Sequence, residues 1–164
     1  MRYKVVPPVR DREFLERAQR AVPLVPGAVE DCCIRLVDET AAPSRDAARE
    51  SLTFLQALEL VEETPRGFRR RRVDVDDADL ADAFERRVFG ASELLDALRD
   101  DGPVTADEAF EAMREHVPHW ERDRHTDWEA EWRERTKRLL GWSVVFGLAA
   151  RDDDGDRYRS TERS

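Results

Sequence analysis

Residues 44 to 73 constrain the fold most, because they join a helical pattern to a turn and a run of arginines. Ser44 is a favourable N-cap, since its hydroxyl can accept a hydrogen bond from a first-turn backbone N–H. The apolar residues that recur at helical spacing are Ala48, Leu52, Leu55 and Leu58. After Leu60 the pattern becomes strand-like, Pro65-Arg66-Gly67 supplies a turn, and Phe68 starts a return strand. The segment therefore predicts a long helix followed by a β-hairpin.

The face of this helix opposite the apolar stripe carries hydrogen-bonding side chains. They are Arg45, Arg49, Thr53 and Gln56. Arginine can bind guanine in a bidentate manner and glutamine can bind adenine, each contributing ~1–3 kcal/mol of discrimination. The alternative is a solvated face on which the arginines pair with Asp46 and Glu50. The sequence leaves both interpretations open.

The predicted hairpin is unusually basic. Its arginines are Arg66, Arg69, Arg70, Arg71 and Arg72. Side chains alternate along a strand, so two or three of them are expected to face a ligand. Like charges so close together repel, and a polyanion would relieve that repulsion. The alternative is an edge strand whose charges protect it from aggregation.

Upstream of this segment the chain predicts two further helices. A β-prone run from Tyr3 to Val6 precedes a helix over residues 10 to 19, and a second helix is expected over residues 28 to 37. Residues 40 to 43 supply a short turn before the Ser44-capped helix. The resulting order is helix, helix, tight turn, helix and hairpin.

The second half begins with an acidic connector at residues 74 to 78, and helical periodicity resumes at Asp79 with a break at Gly90. Residues 100 to 103 predict a turn. Capping boxes are predicted at Thr105–Glu108 and at Thr126–Glu129, with a long loop over residues 116 to 125 between them. The end of the chain, from Phe146 to Arg159, predicts another hairpin.

This half repeats the first. A constant offset of 88 pairs Arg45 with Arg133 and Leu60 with Leu148. The same offset pairs Gly67 with Gly155, Arg69 with Arg157 and Arg71 with Arg159, without a gap from the helix through the hairpin turn. The sequence therefore predicts a duplicated unit.

In this order of elements the chain resembles the winged helix-turn-helix superfamily, and it looks like a tandem winged-helix protein of haloarchaeal type. The expected fold is mainly α with small β-hairpins (α+β). The expected units are residues 1–73, a connector at 74–78, and residues 79–164. The resemblance implies double-stranded DNA as ligand, with a helix in the major groove and a wing on the backbone. The second hairpin turn, residues 152 to 156, is acidic and would be repelled by phosphate.

Charge supports this division of roles. The net charge is −9, and the basic residues are 26 arginines and two lysines. Residues 1 to 73 carry +2 and residues 74 to 164 carry −11. The acidic excess is typical of proteins that stay hydrated in high salt. The sequence shows no long apolar run, signal-peptide pattern or lipidation motif, so we expect a cytoplasmic protein without membrane contact.

Three clusters have competing interpretations. His116, His119 and His125, with Asp123 and Asp127, invite a metal site, but their spacing matches no zinc pattern and favours a surface loop. Trp128 and Trp132 are expected to pack the second core with Trp120 covering it, rather than to stack on bases. The adjacent Cys32 and Cys33 are expected to be buried and reduced.

No nucleophile motif, phosphate loop or cofactor motif appears, so we predict no catalytic, metal or cofactor site. The favoured function is a double-stranded DNA-binding, transcription-regulator-like protein of a halophile, with the first unit on DNA. The second unit would bind a protein partner or form a homodimer. The alternative is a non-catalytic adaptor or subunit of a DNA-processing or defence complex.

Overall fold

A computed structural model describes residues 3–40, 43–75, 78–124, 126–152 and 156–161. It divides the chain into two compact units, of which the first ends at Phe89 and the second starts at Gly90. The division therefore falls after residues 79 to 89, which the sequence assigns to the second unit. The physical reason is that Arg86 and Arg87 in this segment bind the carboxylate of Glu59.

The elements of the first unit are α1 (Arg12–Ala21), α2 (Val29–Thr40), α3 (Arg45–Ala57), β1 (Val61–Thr64), β2 (Gly67–Arg70) and α4 (Leu80–Arg87). Helix α1 starts after Asp11, whose side chain accepts from the N–H of Phe14. The predicted cap of α3 is confirmed, since Ser44 Oγ accepts from the N–H of Ala47 at 3.1 Å. Of the predicted strand Tyr3 to Val6, Tyr3 forms an isolated bridge with Val88. The predicted turn at residues 40 to 43 falls partly on residues outside those described.

Helices α1, α2 and α3 pack against one another, and α3 also packs on β1 and α4. All four predicted apolar residues of α3 are buried, together with Phe54. Strands β1 and β2 form an antiparallel hairpin, with Val61 opposite Arg70 and Thr64 opposite Gly67. On its other side, β2 pairs with the segment before α2 through two 2.8 Å hydrogen bonds between Gly27 and Phe68.

The elements of the second unit are α5 (Ala91–Asp101), β3 (Val104–Thr105), α6 (Ala106–Met113), a 3-10 turn (Arg114–His116), α7 (His119–Arg124), α8 (Trp128–Val145), β4 (Ala149–Arg151) and β5 (Arg157–Ser160). The Thr105–Glu108 capping box is confirmed. The second predicted box is wrong, because α8 begins one residue later and its N-cap, Asp127, makes no side-chain capping bond. The predicted loop at 116 to 125 contains α7, and the predicted turn at 100 to 103 starts later because α5 runs to Asp101.

The two units share one topology. In the second, the strands lie in the order β3-β5-β4, and Val104 pairs with Tyr158. In the first, the segment at Gly27 takes the place of β3, and Phe68 takes the place of Tyr158. Each unit therefore places a short strand segment between its first two helices and pairs it with the return strand of the hairpin.

The end of the helix before the hairpin, α3 in the first unit and α8 in the second, matches closely between the units. Leu60 N–H donates to Leu55 O at 3.0 Å, and Leu148 N–H donates to Ser143 O at 2.8 Å. The residue before each donor, Glu59 or Gly147, has a left-handed backbone with φ of 65° or 75°. This is the Schellman pattern of helix termination. It repeats at an offset of 88, as the sequence predicts.

The predicted register is wrong beyond this point. Strand β1 pairs Val61 with Arg70, whereas β4 pairs Ala149 with Ser160, so the second hairpin is two residues longer. The return strands therefore correspond at an offset of 90, which matches Arg69 with Arg159 rather than Arg157. The predicted match of Gly67 with Gly155 involves a residue outside those described.

The adjacent cysteines lie in α2, and both are buried free thiols, as predicted. Burial is the largest cause that raises the pKa of both Cys32 and Cys33. For Cys33 the neighbouring Arg49 opposes that effect. Protonated, buried thiols of this kind are packing residues rather than nucleophiles.

We expect Gly67→Ala to lower the free energy of unfolding by about 2–4 kcal/mol, because it combines a left-handed φ with the loss of strand pairing. Gly67 has φ of 127°, and a Cβ there would lie 2.2 Å from the carbonyl oxygen of Gly27. The control is Gly147→Ala, where φ is 75° and a Cβ meets no atom within 4 Å. This variant should lose only about 1 kcal/mol, the backbone cost alone. Equal losses in denaturant titrations would contradict the steric explanation.

The capping box predicts a pH dependence. The pKa of Glu108 lies below its ordinary value of 4.5, first because of the Thr105 backbone N–H, then its hydroxyl, with a smaller contribution from Arg157. The stabilisation is therefore present above pH 4.5 and is lost as pH falls through the lowered pKa. Glu108→Gln should reduce the amount by which the denaturant midpoint of unfolding falls between about pH 6 and pH 3. Glu63→Gln, which removes an exposed carboxylate of β1, should leave the wild-type slope; an unchanged slope in Glu108→Gln would refute the assignment.

Candidate nucleic-acid interface

The two arginines in the first half of α3 are exposed. Within the described residues, neither Arg45 nor Arg49 forms an ion pair, although Asp46 and Glu50 are their sequence neighbours. The alternative of internal pairing on this face is therefore not what the structure shows. Both guanidinium groups remain available to an external anion.

The other two candidates on this helix lie deeper. Thr53 and Gln56 are half-buried. The hydroxyl of Thr53 donates to the carbonyl of Arg49 in its own helix at 3.1 Å. Within α3, the arginines therefore offer more to a ligand than the threonine or the glutamine.

The hairpin arginines separate into different environments. Arg66 is exposed at the turn, and Arg69 forms an ion pair with Glu62 across the hairpin. Arg70 lies on the face of β2 opposite to Arg69. Its cross-strand partner Val61, whose side chain is on the same face, is buried. Arg71 donates from Nη1 to the carbonyl of Glu59 at 2.9 Å, and Arg72 is exposed just after the strand.

Strand β2 does not behave as the edge strand that the sequence allowed. It pairs with β1 on one side and with Gly27 on the other, and the N–H of Arg70 also donates to the carbonyl of Pro23 at 2.7 Å. Arg69 and Arg70 are thus on a strand with neighbours on both sides. Protection of an edge does not account for their charge.

The helix and hairpin arginines do not form one cluster. Arg71 contacts Glu59 at the C-terminal end of α3, whereas Arg45 begins that helix. At 1.5 Å per residue, the two ends are separated by ~20 Å. The structure therefore provides a helix group, Arg45 and Arg49, and a separate hairpin-base group around Arg70, Arg71 and Arg72.

The hairpin-base group lines a surface concavity of about 410 Å³. We call this the hairpin-base pocket, and its lining residues are Leu24, Glu62, Arg69, Arg70, Arg71 and Arg72. A larger adjoining concavity of about 670 Å³ shares Leu24 and Arg70–Arg72, and adds Glu16, Gln19, Arg20 and Asp74 among others. The sequence did not indicate Gln19, Arg20 or Leu24, because only the fold brings α1 beside the hairpin.

Gln19 holds the chain that leaves the hairpin. It is buried, and its side-chain amide donates to the carbonyl of Val73 at 2.8 Å. Its longer contacts reach the carbonyls of Leu60 at 3.3 Å and Arg71 at 3.4 Å. One amide thus binds both Leu60, the residue before β1, and the segment that carries Arg71 and Arg72.

The second unit neutralises its own arginines. Arg133, which the offset of 88 matches to Arg45, binds Asp107 at 2.8 Å and Glu111 at 3.6 Å. Arg159, which corresponds to Arg69, lies 3.6 Å from Asp152, and Arg157 binds Glu108. Arg114 binds Glu111 and Glu129, and these pairs raise its pKa. With the boundary at Phe89, the first unit has a net charge of −2 and the second has −7. Because both units are acidic, they differ more clearly in whether Arg45 or Arg133 is ion-paired than in the sign of their net charge.

The other clusters offer little to a ligand. The described residues, which exclude His125, contain no group of three or more metal-binding side chains. Trp132 is buried in the second unit, as predicted, and Trp142 is buried there too. Trp128, the other predicted core residue, is half-buried beneath Arg114 and Arg122. Trp120, which is predicted to cover this core, has 54% of its surface exposed.

Fold and surface together define a tandem winged-helix protein. The chain belongs to the family of the Halobacterial double winged helix domain, whose profile matches residues 1–163. Domains of this type generally bind DNA and are typically non-catalytic. No curated protein and no solved structure shows significant similarity to the chain. Within the described residues, no helix is both long enough and apolar enough to cross a membrane.

Replacing the Gln19 amide should loosen the hairpin base. We expect Gln19→Leu to lower the free energy of unfolding by about 1–3 kcal/mol, because buried carbonyls lose their donor. Gln56→Leu is the control, since Gln56 is half-buried and makes no side-chain hydrogen bond within the described part of the chain. Denaturant titration of both variants checks this. An equal stability of the two would show that the amide does not hold the segment.

Proposed function

We propose that the first unit binds double-stranded DNA, and that the protein acts as a transcription-regulator-like DNA-binding protein. The proposed contacts are Arg45, Arg49, Thr53, Gln56, Arg66, Arg69, Arg70, Arg71 and Arg72. One observation carries the proposal: Arg45 and Arg49 make no ion pair within the described residues, whereas the equivalent Arg133 binds two carboxylates.

Unpaired arginines bind phosphate at a lower electrostatic cost than paired ones. An arginine that already binds a carboxylate must lose that partner before it can bind phosphate, whereas Arg45 and Arg49 need only shed water and counterions. Their position on the third helix matches the element that enters the major groove in winged-helix complexes. Arg66 at the hairpin turn suits contact with the phosphate backbone. Arg69 would exchange its pairing with Glu62 for phosphate.

The proposed role of the second unit is contact with a protein, as a partner module or a homodimer interface. Arg133, the equivalent of Arg45, is paired with two carboxylates, which supports a surface that does not bind DNA. Trp120 on α7 is 54% exposed, and exposed tryptophans are enriched in protein interfaces. The same observation favours the second candidate function, a non-catalytic adaptor in a DNA-processing or defence complex.

The duplication supplies a matched experiment. Arg45→Ala/Arg49→Ala should weaken duplex binding by about tenfold or more, because each change removes a charge-assisted hydrogen bond to phosphate. The slope of log affinity against log salt should become shallower by about 0.9 for each phosphate that the variant no longer neutralises. Arg133→Ala/Lys137→Ala changes the equivalent positions, at the same offset of 88, and should bind duplex as the wild type does. Fluorescence anisotropy over a salt series measures both variants.

Two results would contradict the proposal. If the Arg45/Arg49 variant follows the wild-type isotherm at every salt concentration, α3 does not contact DNA. If the wild-type protein binds no duplex at the high ionic strength of a halophile, the adaptor function is favoured instead.

A further inference from the structure

We propose that the hairpin-base pocket is a discrete phosphate-oxyanion site, held by Arg70 and Arg72 and independent of the arginines of α3. This site rests on the proposed function of the first unit and deepens it, because it assigns a ligand group to part of the same surface. It also separates the arginines of the hairpin into those that bind a ligand and those that support the fold.

The charge within the pocket is incompletely neutralised. Among the described residues that line it, Glu62 is the one carboxylate, and Glu62 binds Arg69. Arg71 is held by the backbone carbonyl of Glu59. Arg70 and Arg72 form no side-chain hydrogen bond or ion pair within the described residues. Among the described lining residues, four arginines against one glutamate leave +3, and a bound dianion would relieve their repulsion.

Arg70 supplies the directional donor. Its backbone N–H is fixed on the carbonyl of Pro23 at 2.7 Å, so the position of its Cα is set by the sheet. Its Nε is buried and has no hydrogen-bond acceptor within the described residues. Buried donors are normally satisfied, and a guanidinium presents its N–H groups in a fixed fork that fits oxyanions. This covered Nε is out of reach of a ligand, so a phosphate oxygen in the pocket would bind the terminal Nη groups of the same guanidinium.

The lining favours a phosphate over other anions. Two guanidinium groups from a short segment can bind several oxygens of one tetrahedral group, which chloride does not offer. The carboxylates Glu16 and Asp74 line the adjoining concavity but not the pocket, so they confine an anion to the smaller space. Leu24, which is 46% exposed, gives both concavities an apolar surface against which a sugar or base can lie. The phosphate group can come from the DNA backbone or from a free phosphate compound.

The test is isothermal titration of the full chain with inorganic phosphate at constant chloride concentration. The wild type should bind saturably, and Arg70→Gln and Arg72→Gln should each weaken binding by about tenfold, the effect of one charge-assisted hydrogen bond. Arg157→Gln is the control, because it removes an arginine from the second hairpin and should not change phosphate binding. Arg72 is exposed, so Arg72→Gln tests the site even if Arg70→Gln affects folding. No saturable binding by the wild type, or equal weakening in Arg157→Gln, would overturn the proposal.

A competition arm identifies the source of the phosphate. If saturating duplex removes phosphate binding, the pocket holds the DNA backbone; if both bind together, it holds a free phosphate compound. In the first case, Arg72→Gln should also weaken duplex binding and lower its salt dependence. The two proposals fail separately: an unaltered isotherm for the Arg45/Arg49 variant contradicts DNA binding by α3, whereas absent phosphate binding contradicts the pocket alone.

Discussion

The turn that ends the helix before each hairpin, α3 or α8, is the constraint on which each unit depends. The left-handed residue, Glu59 or Gly147, reverses the chain so that the next N–H bonds back into the helix. This fixes the direction in which the hairpin leaves the helix. In the first unit, the carbonyl of Glu59 also accepts from Arg71, and its carboxylate binds Arg86 and Arg87. A glutamate in a conformation that favours glycine thus joins α3, the hairpin and α4, and those ion pairs offset part of its backbone cost.

At one helix position the two units differ in the neighbours of an arginine rather than in the arginine itself. Arg45 and Arg133 occupy equivalent helix positions, yet two carboxylates lie beside the second. Exposed ion pairs contribute only about 0–1 kcal/mol each to stability, so their main consequence is electrostatic. They reduce the positive potential that a polyanion would meet. A duplicated unit can therefore lose phosphate affinity by gaining acids nearby, while its fold and its arginine remain.

Sequence patterns predicted what is local and regular. The Ser44 cap, the buried stripe of α3, the Thr105–Glu108 box and both hairpins depend on spacing along one segment. Helix α7 and strand β3 were missed because they are short and, in α7, highly polar, so neither gives a periodic signal. The two extra residues in the second hairpin were missed because aligned arginines concealed the shift in register. The hairpin-base pocket depends on tertiary packing, since Leu24 reaches it from a segment about fifty residues earlier in the chain.

The run of four arginines illustrates why composition alone overstates a binding surface. Strand alternation places Arg69 and Arg70 on opposite faces, and the fold then gives Arg69 a carboxylate and Arg71 a carbonyl. Two arginines of the four remain without such partners within the described residues. Because these lie ~20 Å from the start of α3, the helix arginines and the hairpin-base arginines do not form one patch. Such a spacing suits contact with separate phosphates along a backbone better than concentrated binding of a single anion by all the arginines.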